Sequence, residues 1–118
     1  MGTMRVDVII RGKRSAKVSA LVDTGATFTV VPRALAERLK LYTMGGYRVK
    51  MADGRVRRLA HSTASVTVAG RTVPATILVA PNGSEVLLGA ETLEVLGLAV
   101  DPRRRRLKVV HSATIMAA

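Results

Sequence analysis

Short apolar segments alternate with turn residues along this 118-residue chain, and this pattern constrains its fold more than any other feature. Val6, Val8 and Ile10 alternate with polar residues, as on the half-buried face of a β-strand. Asp53-Gly54 stands between two further strand-like segments, and Asp-Gly is a strong hairpin signal. Because turn signals recur about every eight to twelve residues, the sequence predicts an all-β barrel or sandwich.

The same patterns predict the individual elements. The predicted strands cover residues 5–10, 17–22, 29–31, 47–51, 55–60, 62–68, 72–79, 86–89, 98–100 and 107–110. A short helix is predicted from Pro32 to Leu39 or Lys40, because proline suits the first turn of a helix. Gly45-Gly46 is predicted to break the chain between elements.

One strand ends in an acidic residue that enters a tight turn, in the segment Leu21-Val22-Asp23-Thr24-Gly25-Ala26. A carboxylate at the end of a buried strand is costly unless it is hydrogen-bonded or used in chemistry. Gly25 allows backbone N–H groups to point at that carboxylate, and Thr24 offers a hydroxyl for a bond across a turn or an interface. The alternative is an ordinary strand-to-turn junction, because Asp, Thr and Gly are all common turn residues.

A second motif lies downstream, where Val86-Leu87-Leu88-Gly89 is followed by the helix-like segment 90–96. In this order the two motifs resemble those of single-domain, retroviral-type (retropepsin-like) aspartic peptidases. The resemblance implies a closed, acid-peptidase-like barrel with one short helix after the apolar-apolar-Gly strand, active as a two-fold dimer. It also implies catalytic roles for Asp23, Thr24 and Gly25, with Ala26 beside them at the substrate.

The resembled family covers its site with a hairpin flap from each subunit. The matching element is the hairpin around Met51, Ala52, Asp53 and Gly54, which are therefore expected to bind substrate. A mobile tip of this kind would close over an extended peptide and add backbone hydrogen bonds to it. The alternative is a plain exposed hairpin without a role in binding.

Only one Asp-Thr-Gly occurs in the chain, whereas hydrolysis of an amide by carboxylates alone requires two of them around one water. The function expected from these residues is a homodimeric aspartic endopeptidase, in which each subunit supplies one Asp23 across a two-fold axis. Its substrate is a polypeptide in an extended conformation, and its chemistry needs neither a cofactor nor a metal. His61 and His111 have no partner at ligand spacing.

The chain departs from the retroviral pattern at two places together. Thr27-Phe28 and Ala90-Glu91 stand where retroviral enzymes carry acidic residues and an Arg that pair with each other. Since both sides of that pairing are replaced together, the chain has a coherent alternative to the retroviral arrangement at this point.

The net charge of +11 motivates a different reading, a basic nucleic-acid-binding domain. Aromatic residues make up only 3% of the sequence and do not interleave with the basic ones, so only weak non-specific binding is expected. The run Arg103 to Arg106 is predicted to be a solvated hairpin turn. The principal alternative to the peptidase is a non-catalytic peptide- or protein-binding module with the same fold, since a fold does not determine a function.

The length favours one domain over residues 1–118, with a core over about 5–110 and a flexible tail over 111–118. The absence of cysteine fits a reducing compartment, so a cytoplasmic location is expected. The domain could also have been excised from a longer, membrane-anchored protein. No apolar run in the sequence reaches the length needed to span a bilayer.

Overall fold

Six strands close into a barrel in the computed structural model, which describes residues 3–110 of the chain. The elements are β1 (Arg5–Arg11), β2 (Ser15–Asp23), β3 (Thr29–Pro32), α1 (Arg33–Arg38), β4 (Met44–Lys50), β5 (Val56–Val68), β6 (Arg71–Ala80), β7 (Leu87–Gly89), α2 (Ala90–Leu96), β8 (Leu98–Asp101) and β9 (Arg106–Val109). The order around the barrel is β1-β2-β7-β3-β6-β5, and β5 pairs with β1 to close it. The prediction of a closed all-β barrel is confirmed.

Both short helices were expected from the sequence. α2 follows directly on β7, as predicted for the helix after the apolar-apolar-Gly strand, and α1 is the helix predicted from Pro32. The Asn82 side chain caps α1, since its Oδ1 accepts the Ala34 N–H at 2.9 Å. The left-handed Gly97, with φ at 74°, ends α2.

The barrel interior is aliphatic, because the chain has only one Phe, two Tyr and no Trp. On β1, Val8 and Ile10 are buried while Ile9 between them is exposed, as strand alternation requires. Side chains from β7 and α2, including Leu88 and Leu96, complete the core from the other side. The barrel is therefore a packed core that fixes the positions of the strand ends.

One strand is longer than predicted. Residues 55–60 and 62–68 were expected to form two strands, whereas β5 runs without interruption from Val56 to Val68. The point where the two predicted strands meet is paired on both sides, because Ala60 and His61 pair with β4 on one side and with β6 on the other. Pairing with two neighbours stabilises an extended conformation that the local sequence does not signal.

The predicted break at Gly45-Gly46 is also wrong, because both glycines lie within β4. The irregularity takes the form of a bulge, since the register with β5 shifts between Met44 and Gly46. A Cβ on Gly46 would lie 3.2 Å from the Cβ of Arg58, whereas nothing lies within 4 Å of that position on Gly45. Glycine therefore permits the close pairing of the two strands at this point.

β8 and β9 form a separate two-stranded sheet, and the arginine run occupies its turn as predicted. Asp101 Oδ1 accepts the N–H groups of Arg103 and Arg104 at 3.2 Å each. The predicted flexible tail, residues 111–118 with His111, lies outside the described residues. Over residues 3–110, no helix has the length and apolar character to cross a membrane.

Candidate active site

Asp23 is the last residue of β2 and stands at the edge of the barrel. It pairs with Gly89 of the parallel strand β7. Its carbonyl accepts the N–H of Ala26 at 3.1 Å, so residues 23–26 form a β-turn. Its carboxylate oxygen Oδ1 accepts the N–H of Gly25 at 2.9 Å, as expected from the Thr-Gly turn. The side chain is half-buried and oriented by this hydrogen bond.

The turn is fastened to the beginning of α2. The first N–H groups of a helix have no partner within the helix. Here Ala90 and Glu91 donate theirs to the carbonyls of Ala26 and Thr27, at 2.8 and 2.9 Å. Two backbone hydrogen bonds therefore hold the loop that carries Asp23 against a rigid element.

Gly89 allows this close approach. A Cβ at this position would lie 2.4 Å from both the carbonyl carbon and the carbonyl oxygen of Phe28. Both atoms belong to the backbone, so they could move away only if the loop moved with them. The apolar-apolar-Gly strand thus packs directly beneath the loop, and glycine is required at its end.

A buried pair of hydroxyl groups links the same loop to α2. Thr29 Oγ1 and Thr92 Oγ1 lie 2.7 Å apart, and Thr29 Oγ1 also accepts the Gly89 N–H at 3.2 Å. Thr29 and Thr92 are 1% and 3% exposed. The loop is therefore held by side chains as well as by backbone bonds.

The second group of predicted site residues lies in the β4–β5 hairpin. Met51 donates its N–H to the Arg55 carbonyl at 2.7 Å and accepts from Gly54 N–H at 2.9 Å. Gly54 has φ at +86°, as in a hairpin turn that ends in a left-handed glycine. Asp53 Oδ1 accepts the Arg55 N–H at 2.9 Å, so this carboxylate stabilises its own turn.

An aromatic stack joins the Asp23 loop to this hairpin. The ring centroids of Phe28 and Tyr47 are 5.8 Å apart and those of Tyr47 and His61 are 4.3 Å apart, each pair nearly parallel. His61 Nδ1 also donates to the Gly45 carbonyl. None of these three residues was predicted to belong to the site. Tyr47 lies opposite Leu59, and His61 follows Leu59 by two residues on β5, so strand alternation places Tyr47 and His61 on the same side of the hairpin.

The predicted site residues thus fall into two clusters. Asp23, Thr24, Gly25 and Ala26 share one turn, while residues 51–54 form the tip of the hairpin that Phe28 and Tyr47 connect to it. Among residues 3–110, no group of three His, Cys, Asp or Glu side chains could hold a metal ion.

Comparisons with known proteins agree with this geometry. The family of gag-polyprotein aspartyl proteases matches residues 6–95, which include both the Asp23 turn and Gly89. Among solved structures, EIAV protease complexed with the inhibitor HBY-793 has a similar fold, with a TM-score of 0.69 and 24% sequence identity. That match covers 81% of this chain and 89% of the EIAV chain. No curated protein sequence matches significantly. Since the family match spans well over half of its length, the chain belongs to the gag-polyprotein aspartyl protease family.

Proposed function

We propose that the protein is a homodimeric aspartic endopeptidase that hydrolyses peptide bonds with a water held between two Asp23 carboxylates, one from each subunit. The observation that best supports this proposal is the position of Asp23. It stands at a strand end, Gly25 orients its carboxylate, and the turn that carries it is bonded to α2. A carboxylate held in this way is preorganised for chemistry.

The second carboxylate has to come from a second copy. The chain has one Asp-Thr-Gly, and Asp53, the other carboxylate of the candidate site, is bonded into its own turn. The remaining acidic residues lie on β1, the helices, the turn before β7 and the β8–β9 hairpin. A two-fold axis beside the turn would bring two Asp23 residues together in an isologous interface.

An apolar surface beside the turn supports this arrangement. A shallow groove adjoining Thr24 is lined by Leu93 of α2, Leu98 and Val100 of β8, and Val110. Val109 and Val110 are 61% and 50% exposed. The Thr24 hydroxyl has no hydrogen-bond partner within residues 3–110, so it is available to the loop of a second subunit.

The chemistry follows from the pairing. Two adjacent carboxylates disfavour the doubly ionised state, so the pair shares one proton. The ionised Asp23 removes a proton from the water, whose oxygen attacks the peptide carbonyl carbon, while the protonated Asp23 donates to the carbonyl oxygen. The tetrahedral diol then collapses: the carboxyl group that took the proton of the water passes it to the departing nitrogen, the other carboxylate accepts a proton from a diol hydroxyl, and the C–N bond breaks. Residues 51–54 of each hairpin cover the peptide, which lies extended beneath them.

The test compares wild type with Asp23→Asn and with Asp7→Asn, a change at an exposed carboxylate on β1. Each protein is incubated with a diverse peptide library at several pH values, and products are identified by mass spectrometry. We expect Asp23→Asn to lose roughly a thousandfold or more in turnover, because asparagine can neither accept the proton of the water nor share one. Asp7→Asn should keep wild-type activity. Cleavage retained in Asp23→Asn would sink the proposal. Peptide binding by wild type without any cleavage would instead indicate a non-catalytic binding module.

A further inference from the structure

We propose that Arg57 makes this site selective for acidic polypeptides, by pairing with an Asp or Glu side chain of the peptide beneath the β4–β5 hairpin. The inference rests on the proposed peptidase function and names the substrate class of that same site. It depends on the face of the hairpin that carries Arg57, and on the absence, within residues 3–110, of any carboxylate that neutralises it.

The strand register determines the face. On β5, Arg57, Leu59 and His61 alternate with their neighbours and therefore point to the same side of the hairpin. Leu59 is only 5% exposed, so this is the inward side. Across the strands, Tyr47 lies opposite Leu59 and Val49 lies opposite Arg57.

This inward side meets the loop that carries Asp23. His61 stacks on Tyr47, and Tyr47 stacks on Phe28 of the loop. Arg57 lies two residues closer to the hairpin tip than Leu59, on the same side of β5. A peptide lying between the Asp23 turn and the tip would therefore pass Arg57.

In the described part of the chain, no carboxylate neutralises Arg57. Its side chain is exposed, and it belongs to none of the ion pairs in residues 3–110, which are Arg5–Glu85, Lys17–Asp7 and Arg55–Asp53. The hairpin carboxylate, Asp53, is engaged with Arg55 in the turn. Thr27 and Phe28 carry no charge on the loop side. A guanidinium in this position can form a bidentate pair with a carboxylate of a bound peptide.

The rest of the hairpin strengthens the same preference. Arg48 and Arg58 lie opposite each other across the strands and, like Lys50, are on its other face. With a net charge of +11 for the chain, they add a positive potential that draws acidic polypeptides to the site. Their contribution is a long-range one, because they point away from the peptide.

Single-stranded nucleic acid also carries negative charge, but the aromatic groups argue for a peptide. Nucleic-acid grooves combine cations with aromatic rings on which bases stack. Here Tyr47 is already stacked against both Phe28 and His61. The Tyr47 ring is therefore already stacked within the protein, which leaves the Arg57 guanidinium to pair with a carboxylate of a peptide.

The experiment uses paired peptide libraries that differ only in having Glu or Gln at each fixed position in turn. Wild type, Arg57→Gln and Arg48→Gln are compared, the last as a matched loss of one positive charge on the outer face. For wild type we expect kcat/KM to favour Glu over Gln by about fivefold at one or two positions, a typical effect of a partly screened ion pair. Arg57→Gln should bring this ratio close to one, whereas Arg48→Gln, which removes only a long-range contribution, should lower it by less than about twofold.

A binding measurement separates failure of this inference from failure of the peptidase proposal. In the Asp23→Asn background, fluorescence anisotropy compares a fluorescein-labelled Glu peptide, its Gln counterpart and a twenty-nucleotide oligo-dT. Each probe is titrated with the Asp23→Asn protein, and with the same protein that also carries Arg57→Gln or Arg48→Gln. Tighter binding of the Glu peptide that disappears with Arg57→Gln supports the inference even if no cleavage occurs. Equal binding of both peptides, an equal loss of Glu-peptide binding with Arg48→Gln, or tighter binding of oligo-dT than of the Glu peptide would overturn it.

Discussion

The hydroxyl groups of Thr29 and Thr92 lie 2.7 Å apart in the protein interior, although 63 residues separate them in the sequence. One belongs to the strand that follows the Asp23 loop and the other to α2, so their bond joins the loop to the helix beneath it. Because Thr29 Oγ1 also accepts the N–H of Gly89, loss of this hydroxyl leaves two polar groups without their partner.

Replacement of either threonine by valine should therefore destabilise the protein, by roughly 1–3 kcal/mol, and Thr29→Val should cost more than Thr92→Val. The free energies of unfolding are measured in urea at one fixed protomer concentration. In the double variant, the loss should be smaller than the sum of the single losses, because the two hydroxyls interact. Thr67 and Thr72 form a hydroxyl pair of the same length, 2.7 Å, on the surface. Their valine variants serve as the control, and an equal cost at both pairs would contradict the prediction.

Gly89→Ala should displace the Asp23 loop, because the new Cβ would lie 2.4 Å from the backbone of Phe28. We expect a loss of stability of roughly 1–3 kcal/mol or more, together with loss of peptidase activity. Gly45→Ala is the matched control, since nothing lies within 4 Å of its Cβ position. Urea unfolding and peptide cleavage are measured on both variants. A Gly89→Ala protein with full stability and activity would show that the loop accommodates the methyl group.

The parts of this site that lie within one short segment were predictable from the sequence. Asp23, Thr24 and Gly25 are adjacent, and the apolar residues before them predict the strand that presents the carboxylate. The contacts that join distant segments were not. Nothing local signals that Phe28 stacks on Tyr47, or that β5 continues through His61. Both result from strand pairing across the barrel, which depends on the whole chain.

Gly54→Ala should impair the hairpin tip without any steric contact. Gly54 has φ at +86° and nothing within 4 Å of its Cβ position, so the cost comes from backbone conformation alone, about 1 kcal/mol. Gly70, in the β5–β6 turn, has φ at +76° and is equally open, and Gly70→Ala is therefore a matched control. Both variants should lose similar stability in urea unfolding. Only Gly54→Ala should change the KM for peptides. An equal change in KM for both variants would show that the hairpin tip does not bind the peptide.

Specific activity should fall when the enzyme is diluted through its dimer dissociation constant, because each chain supplies one Asp23. At the low end the rate should become second order in enzyme concentration. Mixing wild type with an excess of Asp23→Asn should suppress activity, since a mixed dimer carries a single competent carboxylate. Asp7→Asn added in the same excess is the control and should not suppress it.

Val100→Asp, which places a charge in the apolar groove beside Thr24, should shift the dilution curve to higher concentrations by about tenfold or more. Each series is run beside analytical ultracentrifugation of the same samples. Specific activity that persists in samples shown to be monomeric would defeat the shared-carboxylate mechanism.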